Sequence, residues 1–169
     1  MSTTIKMLSL GVSLGALSLT ACHRDRDRDH ERQEHAAKTI SEADAAKVTD
    51  ATIATWASMD AAKIDALYSP DVAGFDVAAP TLSTDRAKWT KNQEGFAAMK
   101  FDKIKVSQSK TQILDGEDFI FSSTSNLTST TGTVKAMTIR CTDVFRKQED
   151  GKFLIVNEHC SAVPVAPKS

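Results

Sequence analysis

The chain has no surplus of positive charge with which to hold a polyanion: 21 Lys and Arg stand against 22 Asp and Glu over 169 residues, a formal net charge of −1. With no basic field to gather phosphates, nucleic acid is excluded as a partner. The apolar run at the amino end does not reach across a bilayer, because residues 7–21 make 15 positions where a spanning helix needs about 20. A glycine-rich phosphate loop and a Ser-His-Asp order are both missing, which leaves nucleotide chemistry and serine hydrolysis without support. Cysteine is scarce, at three, and tyrosine scarcer, at one. Three of the four His fall in residues 23–35, so His159 is the only imidazole of the remaining chain, and imidazole is the side chain suited to proton transfer near neutral pH.

What the amino end does contain is patterned. Lys6 gives a short positive flank, residues 7–21 carry no charge, and the run closes on Leu19-Thr20-Ala21-Cys22. A charged flank, a short apolar stretch and a small residue before the cut define a secretory signal. With Cys directly after Ala21, it reads as a bacterial lipoprotein signal in which Cys22 becomes the acylated first residue. An ordinary secretory signal cut elsewhere is the alternative. Cleavage after Ala21 leaves 148 of the 169 residues, enough for one domain with its own core. More than one acyl chain on Cys22, at about 0.8 kcal/mol per buried methylene, holds such a domain to the membrane permanently. His23 rather than Asp follows the Cys, which resembles outer-membrane retention. The expected location is therefore the bacterial cell envelope, on the outer membrane facing the periplasm in preference to the inner membrane.

Residues 22–39 then read as a lipidated Cys and a tether. His23 to His35 holds four Arg, three Asp and two Glu with no apolar residue, and such a stretch has nothing to bury. Its His residues nearly imitate two zinc-protease motifs, but Glu34 stands where HExxH needs His and Glu31 where HxxEH needs it. No metal site and no cofactor are expected.

Residues 40–165 read as the folded domain. Ser41 with Asp44 opens a capped helix of residues 41–58, with Ala45, Val48, Thr52, Trp56 and Met59 on one stripe. Asp60 caps a second short helix in which Ile64, Leu67 and Tyr68 share a face, and Pro70 stops it. An extended piece through Val72, Phe75 and Val77 follows. Ser83 or Thr84 caps a third helix, where Trp89, Gln93, Phe96 and Ala97 recur at helical spacing. Trp56, Trp89 and Phe96 are assigned to the core. From Phe101 the texture changes to long runs of Thr, Ser, Val, Ile and Phe, read as four hairpin-linked strands over residues 101–114, 118–131, 134–148 and 152–163. Helices followed by an antiparallel meander make an α+β domain, with three N-terminal helices packed on a curved antiparallel sheet. Residues 122–131 are polar on both faces, which suits either an edge strand or one wall of a wet cavity.

With Cys22 spent on lipid, Cys141 and Cys160 remain as a candidate disulfide pair in an oxidising compartment. A two-residue turn at Asp150-Gly151 opposes residues whose numbers add to 301, as those of the two Cys do. That register also sets Asp143 against Glu158, which is unfavourable, and makes the Cys a hydrogen-bonded pair whose spacing suits a disulfide less well. A three-residue turn with a Gly bulge would shift the register by one and undo the match.

Trp56 to Asp71, Phe75-Asp76, and Arg140 to Ser161 (RCTDVFRKQEDGKFLIVNEHCS) carry a resemblance to the nuclear-transport-factor-2-like (NTF2-like) superfamily, and within it to SnoaL-like and ketosteroid-isomerase-like domains. The resemblance spans residues 40–164 and implies a cone in which the sheet and a long helix enclose a pocket, with homodimerisation through the sheet in many relatives. Ketosteroid isomerases place a Tyr on the first helix, whereas Trp56 occupies its end here, so their mechanism is not carried over. Fold alone does not assign function. Alternation along the strands sets Arg140 and Thr142 on one face, opposite Ser161 and His159. These four are expected to point into the pocket, with Tyr68 at its rim. The leading expectation is a lipid-anchored protein binding a small polar or anionic organic molecule of unknown identity, with Arg140 supplying positive charge. One alternative is a proton-transfer enzyme, of isomerase, dehydratase or cyclase type, using His159 or Asp76 as base. The other is a non-catalytic dimerisation or assembly module.

Overall fold

A computed structural model describes residues 39–163 apart from positions 78, 80 and 115. The signal segment, Cys22 and the tether lie outside the described residues. Three helices and five strands follow in the order α1 (Glu42–Ala57), α2 (Ala61–Asp65), β1 (Tyr68–Phe75), α3 (Arg86–Ala98), β2 (Lys103–Ile113), β3 (Phe119–Thr128), β4 (Ala136–Lys147) and β5 (Phe153–Ala162). The strands form one sheet in the order β1-β5-β4-β3-β2, antiparallel except where β1 runs parallel to β5. This is the expected α+β arrangement of helices on a curved, unclosed sheet.

Helix starts follow their caps. The Ser41 hydroxyl accepts the Asp44 N–H, and Asp60 accepts those of Ala62 and Lys63, satisfying amides that a helix start leaves orphaned. The third cap is Asp85, which accepts from Ala87 and Lys88. Ser83, expected in that role, is instead paired through its backbone to Gly74. A bidentate ion pair joins the two helices flanking β1, with Arg86 donating to both carboxylate oxygens of Asp65 at 2.6 and 2.9 Å.

The second helix ends at Asp65, so Tyr68 is a strand residue, correcting its expected place on α2. Its partner across the sheet is Ile155, and the extended piece read from the sequence is the fifth strand. Pro70 has no N–H to give to a ladder, and an edge strand is where that is tolerated. Close to the other end, a Cβ on Gly74 would lie 1.9 Å from the Glu158 carbonyl oxygen. Only glycine lets β1 close on β5 at that rung.

The β4–β5 hairpin contains two irregularities that cancel. The Gln148 N–H donates to the Lys152 carbonyl across a three-residue loop whose Gly151 has φ +84°, the Gly-bulge turn that sets opposed numbers to 300. That register holds to Phe145 opposite Ile155; Val144 then faces Asn157, so Val156 is an extra residue and the count returns to 301. Cys141 thus meets Cys160, and a disulfide joins them at a Cα separation of 4.1 Å, the close spacing of a non-hydrogen-bonded pair.

That bulge also decides which way β5 faces. A one-residue insertion exchanges the two faces of a strand beyond it. Ile155 points inward, and past Val156 the inward residues are Glu158 and Cys160, while Asn157 and His159 are exposed. The core beneath gathers Trp89 against Tyr68, ring centroids 5.2 Å apart, and Phe119 stacked on Phe145 at 4.6 Å. Strand β3 is internal, and its inward Ser123 and Ser125 are buried, which resolves the polar stretch as a cavity wall.

Candidate functional site

The inner face of the sheet and the helices enclose a cavity lined by Trp56, Phe96, Ile104 and Ile139 on its apolar side and by Tyr68, Asp76, Gln93 and Glu158 on its polar side. It leaves about 40 Å³ in which the centre of a water molecule can move, against about 10–15 Å³ for a single water, so it admits a molecule of a few heavy atoms. Ser123, Ser125 and the Cys141–Cys160 disulfide complete the wall, and among the described residues no Lys, Arg or His lines it.

The polar side is built from four elements. Tyr68 opens β1 and donates its hydroxyl to Glu158 Oε2 at 2.7 Å. Glu158, 3 % exposed, lies on β5 opposite Asp143 of β4, which is 0 % exposed and sits outside the cavity wall. Asp76 follows β1 and accepts from Gln93 Nε2 of α3 at 3.1 Å. Gly74 permits the close β1–β5 approach that brings Tyr68 and Asp76 to this end of Glu158.

Two carboxyl groups facing each other out of water cannot both ionise cheaply. Neither Asp143 oxygen meets an N–H or a hydroxyl of the described residues, and the hydrogen-bonding group against it is the Glu158 carboxyl, which donates only when protonated. Burial pushes Asp143 from near 3.8 to about 7. Burial first, then the charge of Asp143, holds Glu158 well above the usual carboxylate range, opposed by the bond from Tyr68. Burial and the same two carboxyls also raise the Tyr68 phenol. The outcome is a proton-holding chain, Tyr68 to Glu158 to Asp143, that ends in an apolar cavity.

Of the residues expected here, Tyr68 and Asp76 line the cavity. Arg140, Thr142, His159 and Ser161 do cluster, but on the opposite face of the sheet. Arg140 Nε donates to Ser161 Oγ at 3.3 Å, Thr142 shares a 3.3 Å hydroxyl contact with Ser122, and the His159 ring lies 5.3 Å from that of Phe75. Arg140 and Thr142 border a shallow open groove there with Gln108 and Lys110. The expectation of an inward guanidinium and imidazole is corrected; its physical cause on β5 is the Val156 bulge. Glu158, Asp143 and Gln93 were not anticipated as site residues. The signal for the first two was the unfavourable opposition of like charges in the sequence register, which makes sense only if burial keeps a proton between them.

Enclosure of a pocket between helices and a curved, open sheet defines an NTF2-like fold. Solved structures with this fold include a protein assigned as a calcium/calmodulin-dependent protein kinase II association domain from Xanthomonas campestris, 26 % identical over 74 % of this chain and 90 % of that one, TM-score 0.61. An NTF2-like protein of unknown function from Pseudomonas putida KT2440 matches at 19 % identity, 76 % and 92 % coverage and TM-score 0.60. A protein assigned as a dehydratase of the NTF2-like family from Streptomyces avermitilis matches at 17 %, 72 % and 94 %, and 0.58. No curated protein matches the chain. The SnoaL-like domain family matches over residues 45–166, and the chain belongs to it.

Proposed function

We propose that this domain is a proton-transfer enzyme of the isomerase or dehydratase kind, acting beside the carbonyl of a small neutral molecule. The observation that carries this reading is a buried, proton-holding carboxyl in the cavity wall, Glu158, bonded by Tyr68 and backed by Asp143 behind the wall, beside a second wall carboxyl, Asp76, bonded by Gln93. A carboxyl that holds a proton and a second carboxyl beside it let one site supply both an acid and a base. Asp76, oriented by Gln93, takes the proton from the carbon next to the carbonyl. Glu158, its Oε2 held by Tyr68, turns the proton it shares with Asp143 to the oxygen where negative charge develops. Among the described residues an anion entering this cavity meets acid groups and no cation, so the polar or anionic ligand expected from Arg140 gives way to a neutral one.

The test is uptake of solvent deuterium next to the carbonyl in a series of small ketones from butanone to cyclohexanone, followed by NMR. Asp76→Asn should slow exchange by about 100-fold or more, the usual worth of a positioned base. Exchange that Asp76→Asn leaves intact would overturn the assignment. We further propose that the domain is held to the cell envelope through acylated Cys22. Cys22→Ser should then lose incorporated palmitate and appear in the soluble fraction.

A further inference from the structure

The inner face of the β4–β5 ribbon sets four metal-ligating groups on adjacent rungs: Cys141 opposite Cys160 and, two residues along each strand, Asp143 opposite Glu158. An oxygen of each carboxyl and the Cys160 sulfur lie within 4.8 Å of one another, and the Cys141 sulfur is bonded to that of Cys160. Asp143 is fully buried, and apart from the proton on Glu158 no protein donor of the described residues reaches either of its oxygens. A buried carboxylate without donors is costly, and a cation is the other way to compensate it. Neither the SnoaL-like family match nor the proton-transfer reading calls for two cysteines beside these carboxyls.

We propose that, once the disulfide is reduced, Cys141, Cys160, Asp143 and Glu158 form a binding site for a thiolate-preferring divalent cation such as zinc, and that oxidation to the disulfide closes it. A dithiol supplies the two electrons and two protons that break the sulfur–sulfur bond, giving two thiols, and is itself oxidised to a disulfide. The cation then displaces both thiol protons and the proton shared by the carboxyls. Zinc bonds of about 2.3 Å to sulfur and 2.0–2.2 Å to oxygen separate neighbouring ligand atoms by about 3.5 Å. The sulfurs must therefore part from bonding contact and the carboxyl oxygens turn toward them, a matter of side-chain rotation on a fixed ribbon. Two sulfurs and two oxygens in a tetrahedral set favour zinc over magnesium or calcium, which take six or more oxygens. The site shares Glu158 with the proposed catalytic cavity, but it is tested by metal content and not by turnover.

The experiment uses the full chain in detergent, reduced with dithiothreitol and desalted anaerobically, with cobalt and zinc as probes. The expected result is one tightly held zinc per reduced chain beyond whatever the oxidised chain retains, and a thiolate-to-cobalt charge-transfer band with the intense visible bands of tetrahedral cobalt. The oxidised chain serves as a control that needs no variant, and it retains the His-bearing tether, so adventitious binding there cancels. Asp143→Asn keeps both thiols and should weaken cobalt binding by about tenfold or more, at least what loss of an outer-shell partner costs. Equal metal content in the two redox states, or a reduced chain without the charge-transfer band, would overturn the proposal. An unchanged affinity in Asp143→Asn would overturn it as well.

Discussion

Raising the pH through neutrality should loosen this domain, and the size of the effect follows from Asp143. In an unfolded chain its carboxyl gives up its proton near 3.8, whereas in the folded domain burial holds the proton to about 7. Between those values the folded state binds more protons than the unfolded one, so stability falls as pH rises. The contribution is fully present below the unfolded value and is lost through the folded one. Three units of difference correspond to about 4 kcal/mol, of which the part above about pH 5, about 3 kcal/mol, is lost by about pH 8, and Glu158, displaced in the same direction, adds to the slope over the same range. For a domain near this size about 2–4 °C accompanies each kcal/mol, so Asp143 alone should lower the thermal midpoint by roughly 5–10 °C between about pH 5 and about pH 8, with Glu158 adding to the fall.

The exposed acids move the other way and in a different window. Hydrogen bonds to Lys47, Lys63, Ser69, Thr130 and Lys152 hold Asp44, Asp60, Asp71, Asp102 and Asp150 below their ordinary values. Their contribution is present above the ordinary carboxylate range and lost as pH falls through it. Circular-dichroism melts of wild type and Asp143→Asn, across the range from about pH 5 to about pH 8, isolate the contribution of Asp143. Asn occupies nearly the same volume and never ionises, so the variant should keep only the slope that buried Glu158 contributes, shallower than that of wild type, and exceed wild type at the alkaline end. A wild-type midpoint that is flat or rising over this range, or a variant that keeps the wild-type slope, would refute the reasoning.

Three further outcomes follow. Tyr68→Phe removes the donor to Glu158 Oε2 and should cost about 1–3 kcal/mol in urea unfolding, the penalty for a buried acceptor left unpaired, with slower ketone exchange as well. Gly74→Ala forces a methyl into the Glu158 carbonyl, so a loss of about 3 kcal/mol or more is expected from chemical denaturation, together with a weakened cavity as β1 lifts from β5. Arg140→Ala and His159→Ala change the opposite face of the sheet and should leave ketone exchange within about twofold of wild type; a drop beyond about tenfold in either would return that face to consideration.

Much of the fold was legible because local chemistry decided it. Ser41 and Asp60 cap helices where their hydroxyl and carboxylate find orphaned amides, and Trp89, Gln93, Phe96 and Ala97 recur at the spacing that puts them on one buried face. The runs of Thr, Val and Phe after Phe101 became the four antiparallel strands with ends moved by one to three residues. Tyr68 was harder. Helical periodicity carries it onto α2, and only pairing with β5, a segment nearly ninety residues away in the chain, draws it into a strand.

The site was less legible, for a reason that one residue makes plain. Alternation along a strand says which residues share a face, but which face is inward depends on every insertion between the strand and its turn. The Gly151 loop shifts the hairpin by one residue and Val156 shifts it back. The pairing of Cys141 with Cys160 therefore survives, while the facing of β5 beyond the bulge is reversed relative to Ile155. Composition and spacing by themselves determined the helices, the meander and the SnoaL-like resemblance, because each rests on local chemistry. Tertiary packing alone decided that carboxyls and not a guanidinium line the cavity, because only the helices laid on one face of the sheet select the side that is sealed from water.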